Sequence, residues 1–361
     1  MGLKLIVACG GTGGHSFPGL ATAAELASRG HDVTVWMSGR DVESSVLKGW
    51  TGPVFATGAR PLSAKNAFAN LRALWRCRRE IRRVKPDALL AMGSYSSLPP
   101  VLVASRCKVP VVLHEANTVP GRAIDFLSHF AKVVAISFEK TAEHFAGKET
   151  VLTGLPIRLD VAGQSPFDDV PEGAFRVFVT GGSQGAHRVN EIASKALVML
   201  NRDLAARGRK LYVIHQTGVR DEAEVARAYA TAGVLARVKA FEHEMGRALA
   251  TADIVIARAG ASTCFELALT GTPAFLIPLP TALRDHQHYN AAAFVAKQAA
   301  AEGLQSDLTP RALSNWLQHK AEHPASLALM AERMRLLARP DATARLADLV
   351  ERIAKGKTAH E

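Results

Sequence analysis

The sequence predicts an α/β protein built from two doubly wound parallel-sheet domains, and three observations carry that expectation. Short apolar runs alternate with longer helical patterns along the whole chain, the signature of βαβ architecture. The runs are solidly apolar rather than alternating, as strands covered on both faces must be. The two halves also open alike, each with a strand, a glycine-rich turn and a helical pattern, at 5–28 and again from 177 onward. At 361 residues the chain exceeds the roughly 250–300 residues at which one core stops growing.

In the first half strands are expected at 5–8, 33–37, 88–92, 111–114 and 133–136, with a helix over 18–28. In the second half they are expected at 176–180, 210–214, 254–257 and 274–277, with a helix from His187. The stretch 159–174, rich in Pro, Gly and Asp, reads as the linker. The domains are therefore placed at 1–158 and 159–339, facing one another across a cleft, with a last helix in 340–361 crossing back onto the first.

Composition excludes several classes. With 48% hydrophobic and 21% charged residues the chain is neither disordered, collagen-like nor a coiled-coil rod. Cys9, Cys77, Cys107 and Cys264 are scattered without a C-x-x-C pair, which points to a reducing compartment and against a zinc or disulfide scaffold. The apolar start is interrupted by Lys4 and runs into a glycine loop, unlike a signal peptide. The apolar stretches 88–105 and 267–283 are broken by Gly and Pro, so neither is a spanning helix of about 20 residues. A soluble or peripheral protein is expected.

A glycine turn between a strand and a helix exposes unpaired N–H groups that, with the helix dipole, favour a phosphate. GGTGGH (10–15) and GGSQGA (181–186) are such turns. Neither is a dinucleotide fingerprint: Ser16 stands where the third glycine belongs, and Ser38 rather than an acid follows the second strand. No Walker A sequence is present either. A diphosphate-containing ligand is the expectation, the alternative being tight turns without a ligand. His15, at a helix amino terminus, would be kept neutral and able to accept a proton; otherwise it is a packing or capping histidine.

In RAGASTCFE (258–266) Ser262 and Thr263 are good helix caps. Glu266 falls one turn inside the helix, where it either accepts ribose hydroxyls or compensates the dipole. Residues 284–291 add a polar turn that decides nothing alone. A basic segment carries Arg72, Arg76, Arg78, Arg79, Arg82, Arg83 and Lys85 against Glu80, more than half of the chain's net charge of +11. Leu74, Cys77, Ile81 and Val84 form its packing face, Arg72, Arg76, Arg79 and Arg83 the opposite ridge, and Phe68 and Trp75 the flank. Arginines beside exposed aromatics suit an anionic membrane surface; a solvated helix face is the alternative. The charge sits in one helix without a stacking platform, so nucleic acid is not an expected partner.

Taken in order, GGTGGH, GSYSS (93–97), HEAN (114–117), GLPIR (154–158), GGSQGA, HQTG (215–218), RAGASTCFE and HQHYNA (286–291) resemble the motif series of the MurG family in glycosyltransferase family 28. The resemblance covers nearly the whole chain. It implies a GT-B fold and inverting transfer of GlcNAc from UDP-GlcNAc to the C4 hydroxyl of MurNAc in lipid I, the undecaprenyl-pyrophosphoryl-MurNAc-pentapeptide of peptidoglycan synthesis. No cofactor or obligatory metal is implied, and the chain has no D-x-D triplet. By resemblance, Thr12, Gly13, Gly14 and His15 meet the donor–acceptor junction. Ala261, Ser262, Thr263, Cys264 and Phe265 line the nucleotide and Glu266 the ribose. Ser183 and Arg158 meet the diphosphate, and Gln287 and Asn117 the sugar. Ser94, Tyr95 and Ser96 flank the acceptor's diphosphate. His15 is the first candidate base and Glu115 the second. Three positions depart from the pattern: Leu155 replaces an asparagine, Glu242 an apolar residue beside uracil, and Arg284 a frequent aspartate. The resemblance further implies a peripheral place on the cytoplasmic face of the bacterial inner membrane, docking through Phe68, Arg72, Trp75, Arg76, Arg79 and Arg83, with cell-wall synthesis and division proteins as partners. Another GT-B lipid glycosyltransferase, a UDP-sugar 2-epimerase and a non-catalytic nucleotide-sugar scaffold are the competing readings.

Overall fold

The computed structural model describes residues 2–11, 13–39, 47, 49–157, 159–182 and 184–358. The chain divides into two compact units, Met1–Arg158 with Arg339–Glu361, and Leu159–Ala338.

The first unit holds a parallel sheet of β1 (Lys4–Ala8), β2 (Asp32–Met37), β3 (Val54–Ala56), β4 (Ala88–Ala91), β5 (Val111–Glu115), β6 (Val133–Ile136) and β7 (Thr150–Leu152), in the order β3-β2-β1-β4-β5-β6-β7. Its helices are α1 (Gly13–Ser28), α2 (Ala67–Val84), α3 (Leu98–Arg106) and α4 (Arg122–Ser128). The side chains of β1 divide between two cores. Leu5 and Val7 join Ala23 and Leu26 of α1, while Ile6 and Ala8 join Cys77 and Ile81 of α2, the period-2 alternation of a strand covered on both faces.

The second unit holds β8 (Phe175–Thr180), β9 (Leu211–Gln216), β10 (Leu235–Lys239), β11 (Ile254–Ala257), β12 (Ala274–Leu276) and β13 (Ala300–Glu302), in the order β10-β9-β8-β11-β12-β13. Around it lie α5 (His187–Ala205), α6 (Glu222–Thr231), α7 (Met245–Thr251), α8 (Ala261–Thr270), α9 (His286–Val295), α10 (Pro310–Glu322) and α11 (Pro324–Leu336). The last helix, α12 (Ala342–Ala354), belongs to the first unit. Leu346, Leu349, Val350 and Ile353 lie in its core beside Leu5 and Val7, each burial contributing about 1.5–3 kcal/mol.

Four strands escape the sequence reading, and all four are sheet edges: β3, β7, β10 and β13. An edge strand is covered on fewer sides and lacks the apolar run that marks a central one. In β10, LARVK, no residue is fully buried. The first helix begins at Gly13 and runs through Pro18, so His15 lies in its first turn. The stretch read as a linker is not loose. Phe167 is buried, its amide donates to Thr251 Oγ1 at 2.8 Å, and its ring lies under the guanidinium groups of Arg237 and Arg247, at 4.1 and 4.8 Å.

Candidate active site

In a doubly wound sheet, ligands bind at the carboxyl ends of the strands where the winding direction reverses. In the first unit that switch lies between β1 and β4, whose last residues Ala8 and Ala91 are paired. The loops leaving them are GGTGGH and GSYSS, and they are bonded to each other. Ser94 Oγ donates to the Gly10 carbonyl at 2.8 Å, and Ser96 Oγ donates to the same oxygen. A Cβ on Gly11 would fall 2.8 Å from Ser94 Oγ, which is why the chain needs glycine there. Ser94 has a φ of 67°, a left-handed strain of the kind that clusters at ligand sites.

His15 completes this group. Its Nδ1 lies 2.9 Å from the Met92 carbonyl oxygen, and a carbonyl only accepts, so Nδ1 carries the proton. In the neutral imidazole Nε2 is then the proton-accepting nitrogen. Ser96 and Ser97 are buried, and the Ser96 hydroxyl fastens its loop to the Gly10 carbonyl. Ser94 and Tyr95 are half-buried.

Glu115 ends β5 at 2% exposure. Its carboxylate accepts from the Asn117 amide at 2.7 Å, Asn117 Nδ2 at 3.1 Å and the Gly121 amide at 3.1 Å. Burial pushes its carboxyl up to about 7, against these hydrogen bonds. The group is thus occupied in shaping the loop that presents Asn117. The neighbouring His114 is held at about 4 by burial, despite its bond to the Gly154 carbonyl, and stays neutral.

In the second unit the switch lies between β8 and β11, where Thr180 is paired with Ala257. GGSQGA leaves β8 and RAGAST leaves β11, and α8 opens directly at Ala261 with Gly260 as its N-cap. Ser262, Thr263 and Glu266 are half-buried in the first turns of α8, whereas Cys264 and Phe265 are buried. Phe265 packs edge-on against Phe294, so both side chains belong to the core rather than to a ligand surface. Arg258, buried beneath the turn, donates through Nη1 to the Ile277 and Pro278 carbonyls and through Nη2 to Gln305. Asn290 Nδ2 donates to the Ala259 carbonyl at 3.1 Å. Gln287 Oε1 accepts from the Leu279 amide at 3.0 Å, fixing the proline-rich turn before it. Arg284 and Asp285 both have left-handed φ, 52° and 54°.

Glu242, the departure beside the expected uracil position, turns its carboxylate into the protein. Oε1 accepts from the Glu244 amide at 2.9 Å and pairs with Lys239 at 3.2 Å, and Arg237 Nε stands 3.5 Å from Oε2. Burial opposes ionisation, but these partners outweigh it and hold the carboxyl below the usual range. The side chain is thus taken up by Lys239 and Arg237 of β10 and by the Glu244 amide. Leu155 is likewise buried in the core. Thr12, Arg158 and Ser183 lie outside the described residues.

On α2, Ala73, Cys77 and Ile81 are buried, with Leu74 and Val84 half-buried, while Arg72, Arg76, Arg79 and Arg83 are exposed. Phe68 is 72% and Trp75 63% exposed, and Leu71 of the same helix is 63% exposed. Arg79 stacks over the Trp75 ring at 5.8 Å. Among the described residues no helix is long and apolar enough to cross a membrane, and no cluster of three or more metal-ligating side chains occurs.

Comparison with known proteins places these features in a family. The glycosyltransferase family 28 N-terminal domain matches residues 5–136 and the C-terminal domain of the same family residues 176–353. A UDP-N-acetylglucosamine–N-acetylmuramyl-(pentapeptide) pyrophosphoryl-undecaprenol N-acetylglucosamine transferase of Mesorhizobium japonicum is 37% identical over 372 residues, covering 99% of this chain and 97% of that protein. The crystal structure of Acinetobacter baumannii MurG is similar at a TM-score of 0.81 and 31% identity, over 98% of this chain and all of that one. A UDP-N-acetylglucosamine 2-epimerase shares the fold at a TM-score of 0.71 and 13% identity, over 98% of this chain and 96% of its own. Two parallel-sheet units with glycine loops at their switch points are the GT-B architecture, and the chain belongs to glycosyltransferase family 28, within its MurG group of N-acetylglucosamine transferases.

Proposed function

We propose that the chain transfers GlcNAc from UDP-GlcNAc to the C4 hydroxyl of MurNAc in lipid I, the second unit binding the donor and the first the acceptor. The observation that carries the chemistry is His15, whose Nδ1–H is committed to the Met92 carbonyl, so that Nε2 is the base. In a single displacement the acceptor oxygen bonds to the anomeric carbon as the bond from that carbon to the diphosphate breaks. The hydroxyl proton passes to His15 Nε2, and the electron pair leaves with UDP. The amino terminus of α8, the glycine loop before α5 and the side chains of Arg158 and Ser183 stabilise the charge on the leaving diphosphate. Glu266 takes the ribose, and Gln287 and Asn117 the sugar. Glu115, locked onto the backbone of its own loop, acts as a positioning residue for Asn117 rather than as the base. The exposed apolar and arginine-rich surface of α2 docks on an anionic membrane, where the lipid-linked acceptor resides.

The test is transfer of labelled GlcNAc to a lipid I analogue, with UDP-GalNAc and UDP-glucose as rival donors. Transfer confined to UDP-GlcNAc is the expected result. Donor binding without transfer would overturn the acceptor assignment, and conversion of UDP-GlcNAc without any lipid would point to epimerisation instead.

A further inference from the structure

We infer that Gln216, in the HQTG segment, is a positioning residue that fixes the spacing between the glycine loop 181–186 and the loop 240–244, so that both ends of a nucleoside diphosphate are held at once. The inference rests on the donor reading of the second unit. Gln216 is the last residue of β9, is buried, and commits its amide at both ends. Oε1 accepts from the Glu242 amide at 3.0 Å. Nε2 donates to the Gly182 carbonyl at 2.7 Å and to Thr180 Oγ1 at 3.2 Å, and that hydroxyl oxygen also accepts from the Gly182 amide at 3.1 Å. One side chain thus joins the glycine loop to the loop expected beside the base.

The backbone after Gln216 makes the same joint. The Thr217 amide donates to the Lys239 carbonyl and the Gly218 amide to the Ala240 carbonyl, both at 3.0 Å. On the other side, a Cβ on Gly185 would meet the Thr217 carbonyl oxygen at 1.9 Å, and one on Gly218 would meet the Gln184 carbonyl oxygen at 2.3 Å. Asn190 Nδ2 holds the Thr217 carbonyl from α5 at 2.7 Å. The segment is seated against both loops with no space for a side chain at either glycine.

A ligand gripped at two ends binds tightly when the distance between the grips is set in advance, because the second contact then orders little that is still free. Uracil and a diphosphate are two such ends. Gln216 is assigned contact with neither; it sets where they are met. A methionine at this position keeps the length of the side chain but supplies neither the acceptor for Glu242 nor the donor for Gly182, leaving a buried amide unmatched.

The experiment compares the full-length wild type with Gln216→Met. Binding of UDP and of uridine is measured by competition against a fluorescent UDP analogue, alongside steady-state transfer from UDP-GlcNAc and thermal unfolding. The expected result is a fall of about tenfold or more in UDP affinity with uridine within about twofold. KM for UDP-GlcNAc should rise in parallel while kcat changes by less than about threefold. Unchanged UDP affinity, or equal losses for UDP and uridine, would overturn the inference, since a merely structural role lowers the unfolding temperature without separating the two ligands. If Gln216→Met does not fold, Gln216→Glu, which keeps the acceptor for Glu242, carries the same comparison. A wild type that does not prefer UDP to ADP would overturn the donor reading and this inference together, whereas a wild type that does, beside an unaffected variant, overturns the inference alone.

Discussion

Replacing Gly185 or Gly182 by alanine separates backbone conformation from packing in the glycine loop. Both residues have positive φ, 73° and 88°, and a left-handed alanine costs roughly 1–2 kcal/mol relative to glycine. At Gly182 that is the whole effect, because an added Cβ meets nothing within 4 Å. At Gly185 the Cβ would stand 1.9 Å from the Thr217 carbonyl oxygen. That oxygen cannot retreat freely, since it accepts from Asn190 Nδ2 at 2.7 Å and its own amide is bonded to Lys239. Breaking one such buried bond adds about 1–3 kcal/mol, for a total of about 2–5 kcal/mol. At about 3 °C per kcal/mol for a unit of this size, Gly182→Ala should lower the Tm of the second unit by about 3–6 °C and Gly185→Ala by about 6–15 °C. The assay is calorimetric unfolding of the ligand-free variants. Equal shifts, or a larger one at Gly182, would refute the close seating of the glycine loop on the HQTG segment.

The remaining predictions concern the base, the membrane and pH. His15→Ala should lower the transfer rate by about 10²–10⁴-fold while UDP affinity, measured by calorimetry, stays within about twofold; retained turnover would remove His15 as the base. Changing Arg72, Arg76 and Arg79 together to alanine should weaken binding to anionic vesicles by about 3 kcal/mol, or two orders of magnitude, with no effect on uncharged ones; co-sedimentation that responds equally to both would exclude electrostatic docking. His215 is buried against Tyr229 and Asn190, and burial lowers it from 6.5 to about 3. Below pH 6.5 the unfolded chain therefore binds the extra proton and the folded one does not, so stability falls on acidification, by about 2 kcal/mol between pH 6.5 and 5. Glu115, raised from 4.5 to about 7, has the opposite sign in the first unit: its contribution is present below pH 4.5 and lost as pH rises through 7. Denaturant unfolding followed in the second unit should show the acid loss, and His215→Gln should flatten it; an unchanged slope would mean that His215 does not titrate as stated.

The central strands and the positions of the glycine loops are legible in the amino-acid sequence alone. A strand between two others and under helices on both faces must be apolar at every position, so Leu5–Ala8 or Ile254–Ala257 announce themselves locally. A turn that reaches left-handed φ favours glycine, as at Gly11, Gly182 and Gly185, although Ser94, Arg284 and Asp285 reach it without one. The four edge strands carry no such mark, because partial exposure lets residues such as Leu235, Arg237 and Lys239 of β10 satisfy many other environments equally well. The motif series likewise located the candidate residues without revealing what each side chain does. That Ser96 and Glu115 fasten loops, that Cys264 and Phe265 face the core, and that the Glu242 carboxylate is taken up by Lys239 and Arg237 emerges from the folded chain. The same holds for the Met92 carbonyl that selects the tautomer of His15 across 77 positions of chain, and for the Gln216 amide that reaches the Glu242 backbone across 26. Half of each of these bonds is a backbone group that every residue type carries, so no choice of amino acid records the pairing, and only the folded arrangement of the strands brings the partners within reach.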